Sequence, residues 1–166
     1  MSRISFCSFF IVIGILSTNA FPGDLCSIIS RTDAASLLEQ PVTAVTPSGP
    51  QRDEDSGGML SFCTYLSSNA AVVVSIVEFA TAAEARKQLN ANLVKERMDA
   101  DDAEVTEEPG IGEQSFWGIS ANGASYTFVK GSRVVGIGLG GEGFAAMGLS
   151  RKDALRRAAL AVASKL

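Results

Sequence analysis

Apolar and polar positions along the chain change period several times, and each change marks an element. An unbroken apolar run, ISFCSFFIVIGILS, comes first. At about 14 residues it falls short of the roughly 20 that cross a bilayer as a helix. Three later segments open with a Ser or Thr followed three residues on by an acid, the reciprocal capping pattern of a helix start. Ser30 with Asp33 predicts a short helix, RTDAASLLEQ, stopped by Pro41, and Thr81 with Glu84 predicts a longer one, AAEARKQLNANLVKERM. Ser150 with Asp153 predicts the last. There Leu155, Ala158, Ala159, Val162, Ala163 and Leu166 form one apolar stripe that should dock on a sheet, with Arg151, Lys152, Arg156 and Arg157 off it.

Between the helices the period falls to two. LSFCTYL and AVVVSIVEF flank the turn-like SSNA and predict an antiparallel hairpin, with Cys63 opposite the Val72, Val74, Ile76 face and therefore buried. A short strand, Val42 to Thr46, precedes a Pro/Gly/Asp-rich stretch, Thr46 to Gly58, that reads as a loop. After the second helix, Asn122-Gly123 and Gly131-Ser132 are two-residue hairpin signals and predict a three-strand meander. These turns set Ala121 against Ala124, Ile119 against Tyr126 and Trp117 against Phe128. Across the next turn Phe128 faces Val135, Tyr126 faces Ile137 and Ala124 faces Leu139.

One face of the meander is thus almost wholly apolar. The other carries Phe116, Gly118, Ser120, Ser125, Thr127, Val129, Val134, Gly136, Gly138 and Gly140, and is expected to be the wet side of a sheet covered on one face. The predicted fold class is α+β: an antiparallel sheet of five to six strands packed by helices, in the order α-β(β)β-α-βββ-α. The second half loosely echoes the first, without a residue-level repeat.

The beginning of the chain sets the expected compartment. Arg3, the apolar run and the exit Thr18-Asn19-Ala20 have the three parts of a cleavable export signal over Met1 to Ala20, which leaves Phe21 to Leu166 as a single domain. Cys26 follows Gly-Asp-Leu, which lacks the residues a lipidation signal uses. Of the three cysteines, Cys7 leaves with the signal, and Cys26 and Cys63 are expected to pair in an oxidising periplasmic or secreted location. They do not form the Cys-x-x-Cys arrangement of redox-active pairs. With Arg3 removed, 13 basic residues stand against 18 acidic ones, a net charge of −5, which argues against nucleic acid as a partner.

The chain has no histidine. Serine-histidine and cysteine-histidine nucleophilic pairs are therefore excluded, as are imidazole-built zinc sites. Paired carboxylates remain able to perform acid/base work, although no spacing singles out a pair. Asp99, Asp101, Asp102 and Glu104 suggest calcium, but the EF-hand positions for glycine and the final glutamate hold Glu104 and Gly110, so this stretch reads as a solvated connector. GIGLGGEG, from Gly136 to Gly143, lacks the Gly-Lys-Ser/Thr ending of a phosphate loop. It reads as a strand whose glycines allow twist or close approach of a flat ligand or a partner's strand. Trp117 and Tyr126 fall on the apolar face and read as core, and the basic residues of the last helix read as a solvated face.

Three pieces together resemble a family of small exported bacterial domains of unknown function, many of them lipoproteins. They are Cys26-Ser27-Ile28-Ile29-Ser30 entering an alanine-rich helix, Phe62-Cys63-Thr64-Tyr65, and Pro109-Gly110-Ile111-Gly112-Glu113-Gln114-Ser115-Phe116-Trp117. The resemblance covers most of the mature chain. It implies a layered α+β sandwich similar to the photosystem II extrinsic subunit P fold, with Cys26 bonded to Cys63, and supplies no catalytic residues. The chain departs from the family at Glu113-Gln114, where the pattern prefers Asp-Glu. The expectation is a non-enzymatic binding domain for an unknown protein or small ligand of the cell envelope, with no metal, no cofactor and no membrane span after cleavage. Gly136, Gly138, Gly140, Thr127 and Phe116 are its candidate binding residues. A carboxylate-dependent cell-envelope enzyme is the alternative.

Overall fold

The computed structural model describes residues 25–98, 104–120, 123–141 and 151–166. The expected signal, the capping residue Ser150 and the acids Asp99, Asp101 and Asp102 lie outside them. A 3₁₀ turn, Leu25–Ser27, leads into α1 (Arg31–Leu38). Ser30 caps α1 as its spacing predicts: the Ser30 hydroxyl accepts from the Asp33 N–H at 3.0 Å, and the Asp33 carboxylate accepts from the Ser30 N–H at 3.3 Å. Glu39 closes the helix in the left-handed region, at φ 51°, with its N–H returning to the Ala35 carbonyl. The Thr81 and Glu84 pair caps α2 (Ala82–Met98) in the same reciprocal way, at 3.2 and 3.1 Å. α3 spans Lys152–Lys165.

The strands are β1 (Ala44–Arg52), β2 (Met59–Leu66), β3 (Ala70–Glu78), β4 (Glu104–Glu107), β5 (Gln114–Ser120), β6 (Gly123–Lys130) and β7 (Arg133–Gly141). They form one antiparallel sheet in the order β1-β2-β3-β7-β6-β5-β4. The α+β class holds, but the sheet has seven strands rather than five to six. Both departures are edges that composition disguises: β1 carries the short strand expected at Val42 to Thr46 on through Arg52, into the Thr46 to Gly58 stretch read as a loop, and β4 forms where no strand is expected. β1 runs through Pro47 and Pro50, which an edge strand tolerates because its outer N–H groups have no partner. A bulge between Ser48 and Gln51 absorbs the cis Gly49-Pro50 bond. β4 lies in the acidic stretch read as a connector, where Val105 and Thr106 pair with Gly118 and Trp117 while Glu104 and Glu107 stay exposed.

The β2–β3 hairpin and its Cys63–Val74 pairing are as the alternation predicts. β6 and β7 also keep the predicted register around Gly131, whose φ of 58° suits the turn. β5 and β6 do not. Ser120 pairs with Gly123, so Trp117 faces Tyr126, Ile119 faces Ala124 and Ser115 faces Phe128, a slip of two residues from the register that Asn122-Gly123 implies. A two-residue slip returns every side chain to its own face, so the hydrophobic pattern does not resist it. The observed register brings the Trp117 and Tyr126 rings to 4.9 Å between centroids, tilted by 46°, a contact worth about 0.5–1.5 kcal/mol beyond burial.

α1 and α3 cover one face of the sheet. Their Leu37, Leu38, Leu155, Ala159 and Val162 pack with Tyr65, Val74, Trp117, Tyr126 and Phe128 in the main core. The Cys26–Cys63 disulfide ties the 3₁₀ turn to β2, with Cα atoms 5.2 Å apart. Beside it the buried Tyr65 hydroxyl lies 2.7 Å from the carbonyls of both Cys26 and Ile29 and shares its proton between them.

The opposite face corrects the expectation of a sheet covered on one side. α2 lies on it, and Ala85, Leu89 and Leu93 bury Phe116, Val129 and Val134 in a second core. The result is three layers, helix, sheet and helix. The three buried residues of α2 recur every four positions, while Val94 and Met98 of the same helix are exposed, so the apolar positions do not reveal which sheet face the helix meets.

Candidate functional site

The second face is built in ranks set by strand register. One rank reads Ser75, Gly136, Thr127, Phe116 from β3 to β5; the next reads Val73, Gly138, Ser125, Gly118; the last reads Ala71, Gly140, Gly123, Ser120. All five candidate binding residues therefore do lie on one face. They divide according to where α2 crosses. Phe116 is 1% exposed and belongs to the second core rather than to a ligand surface. Thr127 is half-buried beside it. At Gly136 a β-carbon would come within 2.7 Å of the Ser75 hydroxyl, so this glycine makes room for its neighbour.

Gly138 and Gly140 are different. With Gly118, Gly123, Ser120, Ser125, Ala71 and Val73 they line a groove of about 370 Å³ beside the C-terminal turn of α2. Its floor is backbone and short side chains across four strands. Glu96 of α2 forms a wall, and its carboxylate oxygen lies 3.2 Å from where a Gly118 β-carbon would be. Side-chain-free Gly118 thus lets the carboxylate lie against the sheet. A β-carbon at Gly138 would meet only ordinary contacts, at 3.7 and 3.8 Å, and would project toward the open side. Sequence reasoning named the small residues of this face but missed Glu96. Its place depends on how α2 crosses the sheet, for which no local signal exists.

The basic residues of α3 are less solvated than their spacing suggests. Arg151 is buried and pairs with Glu39, tying α3 to the end of α1. Lys152 pairs with Glu108, and its ammonium also sits 5.6 Å from the centre of the Trp117 ring, within cation–π range. Tyr126 donates to the same Glu108 carboxylate at 2.8 Å, and Arg156 lies 3.9 Å from it. Burial works against the charged form of Glu108. The hydrogen bonds from Lys152 and Tyr126, with the charges of Lys152 and Arg156, outweigh it and hold the carboxyl below its ordinary value of 4.5. Burial first, and then the Glu108 carboxylate, push the Tyr126 phenol up. A donor held neutral and an acceptor held charged make a structural clasp between α3 and the chain leaving β4.

The Gly110 to Trp117 segment has a comparable structural role. Gly112 has φ 61°, and a β-carbon there would fall 2.3 Å from the Val129 carbonyl oxygen. That close approach places the Glu113 carboxylate against Arg86 of α2 at 2.6 Å and the Gly131 N–H of the β6–β7 turn at 2.8 Å. These donors, the Arg86 hydrogen bond foremost, hold Glu113 below the usual carboxylate range. Among the described residues, no group of three or more His, Cys, Asp or Glu could hold a metal ion. No helix among them is long and apolar enough to cross a membrane.

No protein-family model matches the chain, and no curated protein matches it either.

Proposed function

We propose that this chain is an exported, non-enzymatic binding domain whose site is the groove floored by Gly138 and Gly140. The observation that carries the reading is a concavity of about 370 Å³ that spans four strands and is lined mainly by glycine, alanine and serine, with Val73, Ile119 and Leu139 among its other lining residues. Placing glycine at the centre of a strand forgoes side-chain packing and costs about 0.5–1 kcal/mol relative to alanine. At Gly136 that cost has a packing reason in Ser75; at Gly138 a β-carbon would be accommodated, so the open space itself is the reason. Ligand sites are concave and present a few polar groups, here the Ser120 and Ser125 hydroxyls and the Glu96 carboxylate.

Export is supported by the Cys26–Cys63 bond, since structural disulfides persist in oxidising compartments. The location is periplasmic or secreted, and the partner is a small ligand or protein segment of the cell envelope. Kinship with the exported bacterial domains of unknown function is part of this reading, supported by the disulfide and the layered architecture. A carboxylate-based enzyme needs two converging acids. Among the described residues lining the groove, Glu96 is the single acid.

The test is position-dependent crosslinking. A photoreactive residue at Ala71, in the groove, is compared in the exported protein with one at Leu160, exposed on α3. A discrete species captured from Ala71 and not from Leu160 supports the reading. Equal capture from both positions, or none from Ala71, contradicts it.

A further inference from the structure

The two ends of α3 are fastened by different chemistry. At the carboxy-terminal end the acceptors are backbone carbonyls: Lys130 of β6 donates to the Ala163 carbonyl, and Lys165 donates to the Ile28 carbonyl, each at 2.5 Å. At the amino-terminal end the acceptors are carboxylates: the buried Arg151 pairs with Glu39, and Lys152 pairs with Glu108. Acid neutralises a carboxylate and leaves a carbonyl, a lysine and an arginine as they are. The first turn of α3 has little stability of its own. Arg151, at the N-cap, makes no side-chain cap bond. Arg151 and Lys152 also put two cations at the positive end of the helix dipole, with Arg156 one turn on and Asp153 as the acid of the first turn.

We infer that α3 is a latch that opens in acid at its amino-terminal end alone, uncovering Trp117 while its carboxy-terminal end stays docked. The groups that face Glu108 are Lys152 and Arg156 of α3 and the Tyr126 hydroxyl of β6, with Asp153 of α3 acting on Tyr126 in turn. Its chain neighbour Glu107 is turned to Arg97 of α2. Once Glu108 is neutral, Lys152, Arg156 and the positive helix end have lost their counter-charge. The Lys152 ammonium, 5.6 Å from the centre of the Trp117 ring, is then free to leave it. Burial opposes the charge on Glu108, but the hydrogen bonds from Lys152 and Tyr126 and the charges of Lys152 and Arg156 outweigh burial and hold the carboxyl below 4.5. Because the folded carboxyl is the more acidic, the latch is closed above 4.5 and opens as pH falls through the lower folded value.

Tryptophan emission reads the latch, because Trp117 is the one tryptophan of the chain and is 1% exposed. Emission and far-ultraviolet circular dichroism are recorded on the same samples from neutral pH downward, at fixed ionic strength. A reversible shift of emission to longer wavelength is expected below pH 4.5 while the dichroism of the sheet is retained. In the same acid range, protection from amide hydrogen exchange should fall at Arg156 and persist at Val162. Glu108→Gln should displace the emission already at neutral pH and lack the acid step. Lys130→Met, which removes a carbonyl anchor at the other end, should keep the step at its wild-type pH. Emission that moves only when the dichroism collapses, a full acid step in Glu108→Gln, or protection lost equally at Arg156 and Val162 overturns the latch.

Discussion

Replacing Phe116 by alanine separates a two-sided core from a sheet with one wet face. The ring is 1% exposed and is enclosed by Ala85, Leu89 and Leu93 of α2 on one side and Val129 and Val134 of the sheet on the other. Truncation removes the transfer energy of the ring and leaves a cavity that the strand floor cannot collapse to fill. Such changes cost about 3–5 kcal/mol. That is a large share of the roughly 5–15 kcal/mol by which a domain of this size is stable. An exposed phenylalanine on an uncovered face would instead change stability by at most about 0.5 kcal/mol. Urea unfolding followed by tryptophan fluorescence reads the difference, because Trp117 lies on the opposite face of the same strand and reports global unfolding. A loss below about 1 kcal/mol with an unchanged denaturant slope would refute the second core.

Further outcomes follow from the same geometry. Removing both Cys26 and Cys63 opens a loop with a sequence separation of 37. It should lower stability by about 4 kcal/mol on the loop-entropy model, read as a shifted urea midpoint. Gly112→Ala places a β-carbon 2.3 Å from the Val129 carbonyl oxygen at positive φ, whereas Gly138→Ala meets only ordinary contacts. The first should cost about 1–3 kcal/mol or more, and the second should be neutral or slightly stabilising, as compared by thermal melts. Glu108 is more acidic folded than unfolded, so its contribution is fully present above its ordinary value of 4.5 and is lost as pH falls through the lower folded value. Glu108→Gln should cost roughly 1–3 kcal/mol at neutral pH and flatten the acid limb of a stability-against-pH curve. An acid limb that is unchanged in the variant would remove Glu108 from the account.

Local signals made much of this architecture legible. Ser30 and Thr81 announce their helices because a capping box is a contact between residues three apart. The β2–β3 and β6–β7 registers follow from short turns, and the alternation along β5 and β6 puts Trp117 and Tyr126 on the core face. What stayed hidden is non-local. The continuation of β1 beyond Thr46 and the whole of β4 are strand only because a neighbour pairs with them, and the prolines of one and the acids of the other mask the alternation. The β5–β6 slip preserves every face, so the pattern could not detect it. The reading of Phe116, Gly136, Gly138 and Gly140 as one surface was right about the face and wrong about its covering, since the stripe of α2 fits either side of the sheet. Phe116 became core, and Glu96 became a wall of the groove.

The proposed binding role is tested most directly by gentle purification of the protein from its native source and native mass spectrometry, side by side with Gly138→Leu. The wild-type protein should carry a discrete bound species, and the variant should lack it while unfolding at the same denaturant midpoint. A species retained undiminished in Gly138→Leu, or absent from the wild-type protein, would contradict the groove as the seat of function.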